Sequence, residues 1–409
     1  MKKLFYNIPT LQPFRSINYS LYFSGRAFSQ LGTAMQRTAV IWVIYTLTRS
    51  EFLVGLTIFA ELFPSFIFST LGGVYADKYN KYAIVKITQI LSFIQAITLA
   101  FIIFTGRGSV WSILTLSIIL GIINAFDVPA RQSLIHEVVK KEAHLRAAIS
   151  LNSAMASTAK LLGPVLSGLI IHAYGASICF LLNALSFGAV YLAFQLMNIT
   201  IKEKQTGTKK TWDGLKEGFL YLKSTPSLAL VILMIAIISL FLQPYNTLIP
   251  VFAKKVFNGN AATYGYISGF IGAGAVIGTL VLTTLKKSIS LRKVLLISTF
   301  IFAISLIFFS QITQFYPAMI FAALVGFGQV SQFTLANIII QTESSTEMRG
   351  RAISILVMAM LGMAPIGSIF IGIISEYFGA PQTLLFQGVA GLILTIIFTF
   401  LFYKQLKKQ

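Results

Sequence analysis

The sequence predicts an all-α integral membrane protein with twelve transmembrane helices in two pseudo-symmetric six-helix bundles. Three observations support this fold class. Hydrophobic residues make up 56% of the 409 positions and charged residues only 11%, whereas soluble domains carry about 25% charged residues. Apolar stretches of about 20 residues, the length of a helix that crosses a bilayer, recur along the chain. The two halves of the chain also share a weak internal repeat.

Helices are expected rather than strands because an isolated strand cannot satisfy its backbone hydrogen bonds in lipid. The predicted spans of the first half are 18–47, 52–76, 83–105, 110–136, 146–173 and 176–198. Those of the second half are 219–250, 261–285, 291–311, 316–341, 350–375 and 380–403. The polar stretch between them separates the chain into three predicted parts. These are a first bundle over 1–198, a cytoplasmic linker over 199–218 that ends in a short amphipathic helix, and a second bundle over 219–409.

Lysines and arginines indicate how these spans are oriented. Of the 32 lysines and arginines, 25 lie in one set of alternate loops and flanking ends, and 4 lie in the other set. Because positively charged loops stay in the cytoplasm, both termini and the linker are predicted to be cytoplasmic. The scattering over short loops accounts for the net charge of +20 without a nucleic-acid surface. One cysteine and three dispersed histidines predict neither a disulfide framework nor a metal site.

The internal repeat relates span five to span eleven. Arg146-Ala-Ala-Ile-Ser opens span five, and Arg351-Ala-Ile-Ser opens span eleven. Each opening is followed by a proline among small residues, Pro164 in the first half and Pro365 in the second. A six-plus-six duplication is typical of secondary transporters, which move one half against the other.

The loop between spans two and three carries the most specific motif. Gly73-x-x-x-Asp77-Lys78-x-Asn80-Lys81 resembles the loop signature of the major facilitator superfamily, in which a glycine usually stands at the position of Asn80. Asparagine tolerates a left-handed backbone, so we expect the turn to survive. The glycines are expected to let spans two and three approach closely. The resemblance implies the twelve-helix major facilitator fold.

Further stretches resemble one branch of that superfamily, the bacterial transmembrane secretion effectors, which include enterobactin and macrolide exporters. These stretches are Met35–Ala39, Asp127–Leu134, Leu161–Pro164 and Asn183–Phe187. The resemblance implies a transporter rather than an enzyme, in the inner membrane of a bacterium, working by alternating access without a cofactor. It implies proton-coupled efflux of a siderophore or another amphiphilic or anionic small molecule. The alternatives are a macrolide-like multidrug efflux pump and an importer or facilitator of a metabolite.

Span five also resembles the antiporter signature of drug/proton exchangers, through Gly163, Pro164 and Gly168, with Ser167 where a glycine is common. This conformational motif favours exchange of the substrate for protons. The glycines of span eight lack the lysine and the strand context of a nucleotide-binding loop. An ion gradient, or the gradient of the substrate itself, is therefore the expected energy source. We expect the chain to act as a monomer in the lipid bilayer.

Ionisable side chains inside spans cost about 2.5–3.5 kcal/mol each on insertion scales, so they mark candidate functional positions. Arg37 lies about ten residues before the outer end of span one, and Glu61 about ten residues after the outer start of span two. At about 1.5 Å per residue both lie about 15 Å below the outer surface, so they are predicted to pair. The pair is either a static lock or a proton-coupling site in which Glu61 takes up a proton when the pair opens.

A second group of charges is predicted at the cytoplasmic side. Asp127 and Arg131 lie one helical turn apart near the end of span four. With Asp77 of the loop they are expected to form a charge cluster that latches this side and breaks when the cavity opens inward. The predicted latch comprises Gly73, Asp77, Lys78, Lys81, Asp127 and Arg131. Asp127 is also the alternative candidate for the coupling proton.

The deep charges indicate the polarity of the transported molecule. The spans contain three deep basic side chains (Arg26, Arg37 and Lys160) and two deep acidic ones. This excess of positive charge favours anionic or neutral polar substrates. In the second half, Pro244 and Pro250 are predicted to break span seven, and irregular backbone at membrane depth normally lines a cavity. The predicted cavity lining is Arg26, Gln30, Lys160, Asn124, Asn152, Gln243, Tyr245, Asn246, Gln329 and Gln332.

Overall fold

The computed structural model of the protein confirms the all-α membrane fold. It describes residues 9–139, 142–197, 211–286 and 288–406, and no strand occurs in these ranges. The helices of the first half are α1 (Ile17–Thr48), α2 (Glu51–Lys78), α3 (Lys81–Phe104), α4 (Val110–Val138), α5 (Glu142–Tyr174) and α6 (Ala176–Leu196). Those of the second half are α7 (Thr211–Ser224), α8 (Pro226–Phe241), α9 (Ala261–Thr283), α10 (Leu291–Gln311), α11 (Phe315–Glu343), α12 (Arg349–Phe378) and α13 (Ala380–Leu406).

The membrane spans follow the apolar stretches closely. Eleven helical segments in the described part of the chain have the length and composition of a membrane crossing. The remaining predicted span is the first one, α1. It is 32 residues long, but its two arginines and several amides make it less apolar than the other eleven segments. The predicted ends lie within about four residues of the helix ends, except at span seven.

Span seven differs from the prediction at its start and in its second half. The predicted span began at 219, but residues 211–224 form the separate helix α7, and the membrane helix α8 begins at Pro226. Proline lacks a backbone N–H and disfavours the helical conformation in the residue before it, so the chain turns at Thr225. The predicted break is confirmed, because α8 ends at Phe241 and is followed by a 3-10 turn and a π-helical turn, Phe252–Val256.

The amphipathic helix α7 belongs with the second half of the chain and packs on the start of α12. Glu217 forms an ion pair with Arg351. The Tyr221 hydroxyl accepts a hydrogen bond from the Ser345 amide at 3.1 Å. Residues 199–210 of the predicted linker lie outside the described residues.

Contacts divide the chain into two compact units, and each has its own core. Unit 1 contains residues 1–43 and 60–207, and unit 2 contains residues 44–59 and 208–409. In unit 2, helices α9 and α11 touch through backbone atoms, since a Cβ added to Gly274 would lie 1.7 Å from the carbonyl oxygen of Ala323. The short hairpin that joins α1 to α2 groups with unit 2. The sequence-based division at 199–218 places that hairpin in the first bundle, and the division into six plus six helices stays a prediction.

Candidate functional site

The ion pair between Arg37 of α1 and Glu61 of α2 is present in unit 1. Arg37 Nε lies 2.9 Å from Glu61 Oε1, and Nη2 donates to the same oxygen at 2.5 Å. The Arg37 side chain is 50% exposed, whereas that of Glu61 is 11% exposed. Helix α4 covers Glu61 closely, because a Cβ on Gly121 would lie 2.4 Å from the Glu61 carbonyl oxygen. The carboxylate is therefore held in a packed environment while its partner remains accessible.

Lys160 of α5 lies close enough to Arg37 for their charges to interact. Its side chain is exposed and forms no ion pair with any of the described residues. Helix α5 is fixed against α1 one turn later, where a Cβ on Gly163 would lie 2.5 Å from the Ala34 Cβ. Ser167 adds a hydrogen bond from its hydroxyl to the Met35 carbonyl at 3.0 Å. The antiporter-like segment thus positions Lys160 near the ion pair.

Asp127 is the second buried carboxylate of unit 1, and several donors surround it. Its Oδ1 accepts hydrogen bonds from Thr88 Oγ1 at 2.7 Å and from Gln89 Nε2 at 3.0 Å. Its Oδ2 pairs with Arg131, one turn along α4. Arg26 of α1 lies within electrostatic reach of both Asp127 and Arg131. Asp127 balances part of the charge of two arginines, which supports a structural role, and its proton-coupling role stays a prediction.

The predicted cytoplasmic latch is only partly present. Asp77 is exposed and pairs with neither Asp127 nor Arg131, so the prediction of one charge cluster was wrong for this side chain. The physical reason is that Asp77 lies in the last turn of α2 on the exposed side, while Asp127 is already satisfied by its own neighbours. Lys78 is exposed and lies over the Tyr79 ring, with its Nζ 5.6 Å from the ring centroid.

The glycines of the loop motif pack differently from the prediction. A Cβ on Gly72 would lie 1.9 Å from the Ala125 carbonyl oxygen, so this close approach joins α2 to α4 rather than to α3. A Cβ on Gly73 would meet nothing within 4 Å. Spans two and four share the contact because Gly72, and not Gly73, occupies the buried side of α2.

Asn80 has a different role from the one expected of it. Its φ of −60° and ψ of 106° place it in the extended region and not in the left-handed one. In that conformation its side chain accepts hydrogen bonds from the backbone N–H groups of Tyr82 and Ala83 and caps α3. The next residue, Lys81, pairs with Glu137 of α4 at 2.9 Å. The sequence analysis did not name Glu137 as the partner of Lys81. The one feature of the sequence that points to it is its position ten residues after Asp127 on the same helix.

The polar side chains of span seven and α11 form a chain of hydrogen bonds in unit 2. The Tyr245 hydroxyl donates to Gln329 Oε1 at 2.8 Å, and Gln329 Nε2 donates to Gln243. Tyr245 is 1% exposed, because its ring packs in the core beside Phe302, and its contact with substrate stays a prediction. Gln332 is also 1% exposed and lies on the buried side of α11. Gln243 and Gln329 are partly exposed and stay cavity candidates.

The remaining cavity candidates fall into two groups. Gln30, Asn124 and Asn152 of unit 1 are partly exposed, and Asn246 of unit 2 is exposed. Pro164 lies within α5, and Gly168 is buried beside it.

A further amide network in unit 1 was not predicted as a unit, and it joins α1, α3 and α6. Asn183 Nδ2 donates to Gln36 at 2.8 Å, and Gln36 donates to Gln95 at 3.1 Å. These buried amides hold helices together.

The hairpin between α1 and α2 carries a polar contact set that the sequence analysis missed. Within unit 2, Glu51 Oε1 pairs with Lys255 Nζ at 3.0 Å, and Lys255 belongs to the π-helical turn of span seven. Glu376 at the end of α12 accepts hydrogen bonds from the Ser50 hydroxyl and from the Phe52 amide, the latter at 3.2 Å. We call these five residues the hairpin tie. In the described residues, no group of three histidine, cysteine or acidic side chains is placed to hold a metal ion.

Comparisons with known proteins support the predicted family. A family model described as transmembrane secretion effector matches residues 8–409. The chain is 27% identical over 386 residues to the staphyloferrin A transporter of Staphylococcus aureus, covering 93% of this chain and 95% of that protein. It is 20% identical over 379 residues to the multidrug efflux pump Tap of Mycolicibacterium fortuitum, covering 90% and 92%.

Solved structures share the fold at low sequence identity. The nucleoside transporter NupG aligns with a TM-score of 0.77 at 13% identity, over 94% of this chain and 99% of that chain. A POT family transporter in complex with 5-aminolevulinic acid aligns with a TM-score of 0.73 at 12% identity, over 93% and 95%. At these identities the likeness concerns the fold alone.

Proposed function

Because the chain belongs to the transmembrane secretion effector family of major facilitator transporters, we propose that it exports a siderophore or a related anionic small molecule in exchange for protons. It is a multi-pass membrane transporter and not an enzyme. Export, proton coupling, cytoplasmic termini and a monomeric state belong to the proposal.

The ion pair of Arg37 and Glu61 carries the proposal, together with the neighbouring Lys160. Glu61 is packed and Arg37 is half exposed, so opening the pair leaves the carboxyl group in surroundings that disfavour its charge. A proton from outside then neutralises Glu61. Lys160 has no acidic partner among the described residues and is free to hold the anionic group of the substrate.

In the proposed cycle the substrate and the proton travel in opposite directions. The substrate anion binds at Lys160 while Glu61 is ionised and paired with Arg37, so the charges at this site balance during outward passage. After release of the substrate, protonated Glu61 accompanies the return. The staphyloferrin A transporter, at 27% identity over 93% of the chain, supports a siderophore as the cargo.

The test of the cargo compares cells with and without this protein in iron-poor and iron-rich medium. Metabolites inside the cells and in the medium are measured by mass spectrometry. We expect a siderophore to accumulate inside the deleted strain under iron limitation and to return to the medium when the gene is restored. Equal siderophore levels in the two strains under iron limitation would refute export of this cargo.

The same ion pair also supports a second candidate, proton-coupled import of an anionic metabolite. If the substrate anion replaces Glu61 on Arg37, the released carboxyl takes up a proton, and proton and substrate bind together. The two candidates differ in the sign of one measurement. Exchange requires that the proton on Glu61 and the bound substrate exclude each other, so acidification weakens binding of the substrate to the purified exporter. In the importer the two bind together, so acidification strengthens binding.

Multidrug efflux is the third candidate, supported by the likeness to Tap over 90% of the chain. In this case structurally unrelated drugs would compete with the siderophore for transport. The iron dependence of the metabolite comparison would then disappear.

A further inference from the structure

Unit 2 carries an apolar groove that the transport proposal does not use. The groove lies between the start of α8 and the end of α13, beside the end of α7, and has a volume of about 520 Å³. Ala229 and Leu233 of α8 and Leu401 of α13 line it. Leu233 is 49% exposed in the protein. Both helices have the length and composition of membrane spans, and the apolar walls of the groove favour an apolar chain.

Two lysines lie at the rim of the groove. Lys223 is near the end of α7 and Lys404 is near the end of α13, and both line the groove. Both side chains are exposed, and neither pairs with an acidic group in the described ranges. Two unpaired ammonium groups from different helices form a site for a negative charge.

The first turn of α8 adds to this positive rim. Pro226 is the first residue of α8 and lines the groove, and Thr225 provides no side-chain capping hydrogen bond. The N-terminus of a 16-residue helix carries a partial positive charge that favours anions. The Glu217–Arg351 pair ties helix α7, which carries Lys223, to α12.

We infer that this groove binds an anionic phospholipid. Its phosphate lies between Lys223 and Lys404, and one acyl chain follows Ala229, Leu233 and Leu401. This end of the unit is the one that the distribution of lysines and arginines assigns to the cytoplasm, where membranes present anionic lipids. A zwitterionic lipid lacks the net charge that the rim attracts, and a free phosphate leaves the apolar walls uncovered.

Native mass spectrometry of the purified full-length protein tests the charge requirement. The protein is titrated with phosphatidylglycerol, phosphatidylcholine and glycerol 3-phosphate. We expect phosphatidylglycerol to bind best, and the Lys223→Gln/Lys404→Gln double variant to bind it about 25-fold more weakly, about fivefold for each lysine. The control Lys216→Gln/Lys293→Gln removes the same charge at the same end, outside the groove, and retains wild-type affinity.

Several outcomes would overturn the inference. They are equal loss in the control, no loss in the rim variant, equal binding of the two lipids, and equal binding of glycerol 3-phosphate. A measurement on the unaltered protein makes the test independent of the folding of any variant. Phosphatidylglycerol with a photoreactive acyl chain should label peptides that contain residues 226–233 or 401–405, and labelling confined to other peptides would also reject the groove.

Discussion

Separate substitutions of Arg37 and Glu61 should affect stability unequally, although they break the same ion pair. Arg37→Gln leaves the Glu61 carboxylate, only 11% exposed, without its partner. Removing one partner of a buried pair costs about 3–5 kcal/mol, because the remaining charge is uncompensated. Glu61→Gln leaves Arg37, whose side chain is 50% exposed and whose long stem lets the guanidinium turn toward water. That change should cost about 1 kcal/mol or less, as for an exposed pair.

We therefore expect Arg37→Gln to destabilise the protein by at least about 2 kcal/mol more than Glu61→Gln at pH 8. Thermal unfolding of the purified variants in one detergent measures the ranking. Lowering the pH should narrow the gap, because protonating the unpaired carboxylate removes the charge that burial penalises. The double variant should be more stable than Arg37→Gln alone, since no carboxylate is left unpaired.

An equal loss of stability in both single variants would refute this reasoning. It would mean that the exposure of Arg37 does not let water compensate its charge. A gap that is independent of pH would show that the penalty comes from packing and not from the carboxylate.

Three further substitutions have expected outcomes. Asp127→Asn leaves Arg131 without its acid in a buried site and should cost about 3–5 kcal/mol in thermal unfolding, and unchanged stability would contradict the structural role of Asp127. Lys81→Gln breaks the partly exposed Lys81–Glu137 pair and should lower the stability by less than about 1 kcal/mol. A larger loss would show that this ion pair contributes more than an exposed pair does. Gly274→Ala places a methyl group 1.7 Å from a carbonyl oxygen and should lower the stability by more than about 1–3 kcal/mol. Gly73→Ala places its methyl group in open space and should be neutral or slightly stabilising. Similar effects of the two substitutions on expression and melting temperature would be inconsistent with the α9–α11 contact.

The predicted spans and the Arg37–Glu61 pair follow from distances along the chain alone. The length of a membrane helix is set by the bilayer, and the depth of a residue follows from its distance to a helix end. Two side chains at equal depth in adjacent antiparallel helices are therefore close together whatever the details of packing. This explains why both features could be predicted.

Other features depend on the rotation of helices, which residue counting does not give. Asp77 and Lys81 lie four residues apart, yet of these two side chains only Lys81 forms an ion pair with the described part of α4. Gly72 and Gly73 are neighbours, and only Gly72 lies on the packed side of α2. Asn80 was expected to be left-handed by analogy with glycine, whereas an N-cap requires an extended backbone and uses the side chain itself.

The hairpin tie could not be predicted from local sequence, because it joins residues of the first, middle and last thirds of the chain. Glu51, Lys255 and Glu376 each lie at an end of a helix or an irregular turn, and such positions normally carry solvated charges. Only their three-dimensional packing brings them together. The start of α8, in contrast, was predictable from Pro226 and was missed because the apolar stretch was extended through it.

The most direct test of the account measures the direction and the proton dependence of transport. Inside-out membrane vesicles that contain this protein in their membrane are given an acidic interior. The siderophore that accumulates in the deleted strain is added to the outside medium. We predict uptake into the vesicles that collapses when the pH gradient is dissipated, and loss of gradient-driven accumulation in Glu61→Gln with exchange of the substrate retained. Full gradient-driven accumulation in Glu61→Gln would contradict the role of Glu61, and accumulation only with the opposite gradient would contradict export.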